Sequence, residues 1–430
     1  MIARNAKDAH GPGTNLDSGW NLETSTIMWE PTCKPRLRPL EPFRVPDDGN
    51  GAQVGLRDPS RLSNVVLTLS PAALHLLSMM DGARTCDDIQ STFLETFGQT
   101  LAEKTLHSML DHLEQAHFLE GPTFESYYQS LTDPYRRGGV RKMPHAAQLG
   151  IAEDSSGFFD DMLKDARRQT PGGPVQGVIA PHLDYPRGRP CYAEAYGALR
   201  TRAAPDRVVI LGTNHFGRAR SVVATGCSFE TPLGITRTDQ DFLESVEKAC
   251  GDLRRYELDH VHEHSIELQV AWLQHLFGSE RFEMVAFLCP DPCGPTGTAP
   301  SENGGVDLRD FARTLGTLIR SDERDTLLVA GADLSHVGAA FGDDRPLDTG
   351  YLDAVRIRDE QALDRIAGND PNAFLQGLTE HDNDTRICSA GCILVLRIAL
   401  PEADATILRY HQAVDESSQT CVTCAAVAFT

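Results

Sequence analysis

The amino-acid sequence predicts an α/β protein, a mostly parallel sheet flanked by helices, preceded by a small α+β domain. From about residue 175 onward, apolar runs of buried-strand length alternate with helical periodicities, the pattern of a sheet covered on both faces. Three of those runs end in ionisable groups: Gly177 to Ala180 leads into His182, Arg207 to Gly212 into His215, and Thr326 to Gly331 into Asp333 and His336. Such endings bring chemistry to the carboxyl edge of a parallel sheet. Before residue 140 the periodicity is that of short helices bracketed by short strands, which describes a separate unit.

At 430 residues the chain exceeds what one hydrophobic core usually fills, so two domains are expected. A net charge of -21 argues against a nucleic-acid or anionic-membrane partner, because phosphate binding needs clustered Lys and Arg. No stretch approaches the roughly 20 apolar residues that span a bilayer, and the polar start Met1-Ile-Ala-Arg-Asn-Ala-Lys-Asp lacks the apolar core of a signal peptide. A cytoplasmic location is therefore expected. Eleven cysteines are neither a dense framework nor an even set, so reduced thiols are expected rather than disulfides.

Residues 1–41 are rich in Gly, Pro, Asn and Thr without periodicity and read as a disordered arm. Residues 42–122 form the first domain. Val65 to Leu69 is a strand, and Ser70-Pro71 supplies an N-cap with proline at the first helical position for a helix over 72–80. Thr85 and Asp88 form a capping box for a second helix, which carries Ile89, Phe93 and Phe97 at helical spacing and stops at Gly98. A third helix from about Leu101 to Ala116 buries Leu106, Met109, Leu110 and Leu113, and Phe118-Leu119 closes the domain as a strand. This order is winged-helix-like. Residues 123–140, with Asp133-Pro134 and Gly138-Gly139, read as a linker.

Residues 141–430 hold the alternating strands and helices, with strands near 175–180, 207–211, 283–288 and 326–330 and helices near 239–250, 264–277, 307–320 and 351–367. Strand ends supply the short, rigid tether that a metal-ligating imidazole needs, and His182 and His215 have it. Cys388 precedes the apolar helix Ile393 to Leu400, where the helix dipole favours a thiolate as a soft ligand or nucleophile; a buried, inert thiol is the plainer alternative. Glu263 and Glu267 are expected in the first turn of a helix, with His264 facing either the cleft or solvent. The His-x-His-x-His alternation from His260 to His264 lacks the i, i+4 spacing of a helical two-histidine site and reads as a loop. Cys421 and Cys424 lie three apart on a final strand and face opposite ways, so they share no metal.

The first domain, through its Leu69-Ser-Pro, its Asp81-Gly82 and its terminal Phe118-Leu119-Glu120, resembles PqqD-like peptide-recognition domains. Ile179-Ala-Pro-His182, Ile210-Leu-Gly-Thr-Asn-His215, Phe229-Glu-Thr-Pro-Leu-Gly234, Glu263-His264-Ser-Ile-Glu267, Asp333-Leu-Ser-His336 and Thr385-Arg-Ile-Cys388 occur in the order and spacing of the Memo-like family, also called AmmeMemoRadiSam system protein B. The resemblance spans residues 141–430. It implies the fold of class III extradiol dioxygenases, with metal ligands His182, His215 and Cys388 and with His264, Asp333 and His336 in catalytic roles in the same cleft. It further implies Fe(2+) or Cu(+) ahead of zinc, an oxidoreductase within a radical-SAM-associated system, and a radical SAM protein and an AMMECR-like protein as partners, with a peptide on the first domain. The alternative is a non-catalytic metal-binding adaptor that holds a peptide or partner protein in the cleft. The chain departs from the family pattern at Asp184, expected to bring a carboxylate beside the metal or, alternatively, to be a surface carboxylate at the mouth of the cleft near Arg187 and Arg189, at Phe216 and Gln269 where the family has histidines, and at Ser389 to Cys392.

Overall fold

The computed structural model describes residues 14–15, 29–45, 53–144, 146–147, 149, 151–152, 155–167, 172–300 and 304–430. The chain divides into two compact units, Met1–Pro134 and Tyr135–Thr430. No helix among the described residues is long and apolar enough to cross a membrane.

In the first unit, β1 (Thr14–Asn15), β2 (Glu41–Arg44), β3 (Val54–Arg57) and β4 (Val66–Leu69) form a sheet of order β1-β4-β3-β2, antiparallel except for the β1–β4 pair. Three helices follow: α1 (Pro71–Ser78), α2 (Cys86–Phe97) and α3 (Glu103–Gln115). Their starts are the ones the sequence marks. Ser70 Oγ accepts the Ala73 N–H, Thr85 and Asp88 cap each other reciprocally, and Gly98 ends α2 with φ 66°. Leu67, Leu69, Leu77, Ile89, Leu106, Leu110, Leu113 and Leu119 are buried together, while Leu74 and Phe93 only flank this core.

Two expectations for this region differ from the structure. Most of the arm lies outside the described residues, but Trp29, Cys33, Leu37 and Leu40 pack against the core, and the Leu37 N–H donates to Met80 O at 2.9 Å. The expected linker is largely a helix, α4 (Pro122–Gly138). Phe124, Tyr128 and Thr132 repeat every four residues and are buried, and this outweighs the local breaker signal of Pro134, which sits inside the helix. The boundary between the units falls within α4.

The second unit runs β5 (Val140–Lys142), α5 (Ser156–Leu163), β6 (Gly177–Ala180), α6 (Tyr185–Gly197), β7 (Arg207–Thr213), β8 (Val223–Ala224), β9 (Ser228–Thr231), β10 (Gly234–Thr236), α7 (Gln240–Cys250), α8 (Glu267–Phe277) and β11 (Glu283–Cys289). It continues through α9 (Leu308–Ser321), β12 (Thr326–Gly331), β13 (Asp333–Gly338), α10 (Thr349–Ala367), α11 (Ala373–Thr379), α12 (Ala390–Ala399), β14 (Ala405–Asp415) and β15 (Thr420–Phe429). The main sheet has the order β13-β15-β6-β12-β7-β11-β8, with β14 also on β15. The fold is α/β as expected, with a mixed sheet. Strands β6, β12, β7 and β11 are parallel, and antiparallel strands flank them on both sides.

β6 and β7 are buried at every residue, as central strands covered on both faces must be. One face carries the core of α7, α9, α11 and α12, including Phe311, Leu315 and Leu394. The other carries α5, α6 and α8, where Trp272 stacks on Tyr196 with ring centroids 4.7 Å apart.

Candidate metal centre

β6, β12 and β7 are neighbours in the sheet, so the residues following their carboxyl ends must converge. His182 follows β6, Asp333 follows β12 and His215 follows β7. The fourth contributor arrives from α12. A Cβ at Gly391 would lie 2.2 Å from the Pro290 carbonyl oxygen, so only glycine lets this helix start so close to the end of β11. Cys388 and Ser389 immediately precede it.

The ring nitrogens of His182, His215 and His264 lie within 4.8 Å of one another, and Cys388 Sγ is 3.5 Å from His182 Nε2. Ligand bonds of about 2.0–2.3 Å at a tetrahedral angle separate nitrogen and sulfur donors by about 3.6 Å. The His182–Cys388 pair therefore already has the spacing a shared metal requires, while the imidazoles need a small inward shift.

Each of the two strand-end imidazoles has its second nitrogen committed. His182 Nδ1 is 2.9 Å from Gly331 O, and because a carbonyl only accepts, Nδ1 carries the proton and Nε2 faces Cys388. His215 Nδ1 is 3.1 Å from the Glu263 carboxylate, which likewise frees its Nε2. Glu263 also accepts the N–H groups of His215 at 3.0 Å, His264 at 2.8 Å and Ser265 at 2.9 Å. This is the carboxylate–histidine arrangement that orients metal ligands. Glu263 is not in a first helical turn as expected, because α8 begins only at Glu267. Asp259, buried, accepts from Asn214 Nδ2, the Arg218 N–H and the Ala219 N–H at 3.0 Å each, and so fixes the loop that carries His215.

Asp333 accepts the His182 N–H at 3.0 Å, and its other oxygen is 3.4 Å from His182 Nε2. Ser389 Oγ accepts from the Asp333 N–H at 3.0 Å and from Thr213 Oγ1 at 3.1 Å, tying the α12 start to β13 and β7. β13 shifts register against β15 between Asp333 and His336. Such a bulge re-aims side chains, and both residues act electrostatically on Cys388 or on each other. His336 Nδ1 donates to Leu334 O at 3.0 Å.

The charges balance within the pocket. Burial opposes the Cys388 thiolate, but His336, His182 and His215 outweigh it and hold the thiol well below its ordinary range. Burial lowers the His182 pKa, yet Asp333 and Cys388 lift it to about 9. Burial pushes Asp333 up and leaves His264 well below its usual range, hence neutral.

The structure thus brings His182, His215, Cys388, His264, Asp333 and His336 around one pocket. Asp184 is elsewhere employed: it is the N-cap of α6, accepting the Arg187 N–H at 3.1 Å and Arg187 Nε at 2.6 Å. A short carboxylate one residue before a helix with proline near its start satisfies free N–H groups, and the Arg187 contact is the one expected of a surface carboxylate rather than of one beside the metal. Gln269 is buried behind His182, donating to Pro181 O at 2.8 Å and accepting from Tyr196 OH at 2.6 Å. Phe216, 39% exposed, stands beside His215 with ring centroids 5.7 Å apart. His260 is a core residue, 3.1 Å from Val223 O and pushed down to about 3 by burial. Cys421 and Cys424 pack on opposite faces of β15, as their spacing predicts.

Sequence reasoning missed the positioning roles of Glu263, Asp259 and Ser389. The available signal was weak: two acids inside a histidine-rich loop too short to solvate them all.

Comparison with known proteins gives a family model described as "Memo-like protein" over residues 153–428. A MEMO1 family protein of Aquifex aeolicus is 24% identical over 353 residues, covering 80% of this chain and 88% of its own. One from Thermus thermophilus is 26% identical over 335 residues, covering 77% and 94%. One from Methanopyrus kandleri is 28% identical over 256 residues, covering 58% and 81%. Among solved structures, an uncharacterized protein from Escherichia coli K12 aligns with a TM-score of 0.37 at 14% identity, over 60% of this chain and 100% of its own, a likeness too distant to argue from.

Proposed function

Because the chain belongs to the family of Memo-like proteins, we propose that it holds Fe(2+) or Cu(+) through His182, His215 and Cys388 and is an oxidoreductase at that centre. The observation that carries this reading is the convergence of Cys388 Sγ and His182 Nε2 at 3.5 Å, beside an imidazole oriented by Glu263. Two imidazoles and a thiolate suit a borderline or soft transition metal and leave coordination positions open. Such a metal supplies one-electron chemistry and Lewis acidity there. The remaining work belongs to the chain. His264, neutral and stacked on His215 with centroids 5.0 Å apart, accepts a proton from a bound substrate. Asp333 keeps His182 in place through its main-chain N–H. His336, with Nδ1 donating to Leu334 O, presents Nε2 for proton transfer at the pocket's edge.

The relation to extradiol dioxygenases, the PqqD-like character of the first unit and a place in a radical-SAM-associated system, with its radical SAM and AMMECR-like partners, are parts of the same proposal, resting on motif resemblance. The test is metal analysis of protein purified without a metal-binding tag, followed by oxygen-electrode measurements with the iron- and copper-loaded forms. About one equivalent of iron or copper, lost in His182→Ala and Cys388→Ala, is expected. Metal retained in full by both variants would place the centre elsewhere, and loaded protein that never consumes oxygen with any reductant or phenolic substrate would overturn the oxidoreductase reading.

A further inference from the structure

Cys33 and Cys86 lie in the first unit, far along the chain from the candidate metal centre and unrelated to its ligands. The chain from Pro31 to Arg38 is laid between two stretches of main chain. On one side the Asp87 N–H donates to Pro31 O at 3.2 Å, the Cys86 N–H to Cys33 O at 2.9 Å, the Gly82 N–H to Pro35 O at 3.0 Å and the Leu37 N–H to Met80 O at 2.9 Å. On the other the Arg38 N–H donates to Phe118 O at 2.9 Å and the Glu120 N–H to Arg36 O at 2.8 Å. Cys86 is the first residue of α2. A main-chain hydrogen bond thus joins the two cysteines themselves, the kind of close backbone approach that a disulfide, with Cα atoms about 4.4–6.8 Å apart, requires.

We propose that Cys33 and Cys86 are an oxidation site, a dithiol that low-molecular-weight disulfides of the glutathione class close into an intramolecular disulfide, pinning the segment from Pro31 to Arg38 onto the start of α2. The Cys86 N–H to Cys33 O bond makes the two residues direct neighbours across the paired main chain. Cys33 is half-exposed and Cys86 buried, so an oxidant meets Cys33 first. The Cys33 thiolate attacks one sulfur of the small disulfide and expels the other half as a thiol, leaving a mixed disulfide. Cys86, losing its proton, then attacks Cys33 Sγ and expels the second half. Two thiols lose two protons and two electrons, and one small disulfide becomes two small thiols.

Burial raises both thiols, Cys86 to about 11, which keeps the thiolate fraction small and the exchange slow near neutral pH. Cys289 with Cys392, and Cys191 with Cys424, are also adjacent pairs. All four of those thiols are buried, so neither pair offers an accessible member.

The test uses the full chain treated with oxidised glutathione, quenched in acid, alkylated in denaturant and mapped by mass spectrometry. The expected product is a peptide pair joined through Cys33 and Cys86, two hydrogens lighter than the separate peptides and reversed by dithiothreitol. In the native protein, tryptic cleavage after the exposed Arg36 should slow about tenfold on oxidation, because the segment can no longer peel away. Cys33→Ser should abolish both effects, and the mapping of the unaltered chain stands whether or not that variant folds. A stable glutathione adduct on Cys33 with Cys86 still alkylatable, or a cross-link that leaves cleavage after Arg36 unchanged, would overturn the proposal.

Discussion

Replacing Glu263 with Gln tests whether the orientation of His215, and not merely its presence, determines metal affinity. The two side chains have nearly the same shape, so packing is preserved, but a carboxamide offers one acceptor oxygen where the carboxylate offers two. Glu263 Oε1 accepts the His264 and Ser265 N–H groups, Oε2 accepts the His215 N–H, and His215 Nδ1 lies 3.1 Å from both oxygens. If the carboxamide oxygen takes the first position, its NH2 faces the His215 N–H, and Nδ1 is left with one neutral acceptor in place of two charged ones. The weaker acceptor no longer fixes the proton of the neutral ring on Nδ1, so part of the population carries it on Nε2, the nitrogen that would hold the metal. If the carboxamide flips, the two amides of His264 and Ser265 lose their acceptor instead. Loss of an orienting carboxylate behind a metal-bound histidine typically costs 10–100-fold in affinity, or about 1.4–2.7 kcal/mol. Competition against a chromophoric chelator at neutral pH measures this, with circular dichroism as the control for folding, and 15N shifts of the His215 ring report the tautomer directly. A folded Glu263→Gln protein whose affinity stays within about twofold of the unaltered chain would refute the reasoning.

Cys388→Ala removes the only sulfur donor proposed for the centre, so Cu(+) affinity should fall at least about tenfold more than Fe(2+) affinity in parallel competition titrations; equal losses would remove Cys388 from the ligand set. Asp184→Ala should cost about 1 kcal/mol of stability through loss of the α6 cap, read as a lower denaturation midpoint, and should leave the Fe(2+) to Cu(+) preference unchanged. Asp359 is a buried carboxylate that accepts Ser335 Oγ at 2.6 Å, Thr423 Oγ1 at 2.6 Å and Tyr410 OH at 2.8 Å, and burial raises it to about 6. Because its folded pKa lies above the unfolded value of about 3.9, its stability contribution is complete below about pH 4 and is lost as pH rises through about 6. Asp359→Asn should therefore look better relative to the unaltered chain at pH 7 than at pH 4, by up to about 3 kcal/mol in urea unfolding. A pH-independent difference would contradict that assignment.

The anchors of the pocket were legible because they are local. A buried strand announces itself by a continuous apolar run, and its end by the first ionisable group, which is why His182, His215 and Asp333 stand out in one dimension. The caps at Ser70 and Thr85 were readable for the same reason, since each acts within three residues of itself. What lay beyond reach was set by partners distant in the chain. Cys388 meets His182 across 206 residues and Glu263 meets His215 across 48, so neither the thiolate's surroundings nor the carboxylate's role has a local signature. The antiparallel strands flanking the parallel core depend on which sheet edge is free, which no residue pattern encodes. The same logic decided two local readings: burial of Phe124, Tyr128 and Thr132 carries a helix through Pro134, and the free N–H groups at the start of α6 engage Asp184. Periodicity and capping act over one turn of chain, whereas ligand orientation and charge balance arise only when packing brings strand ends, a loop and a helix start to the same point.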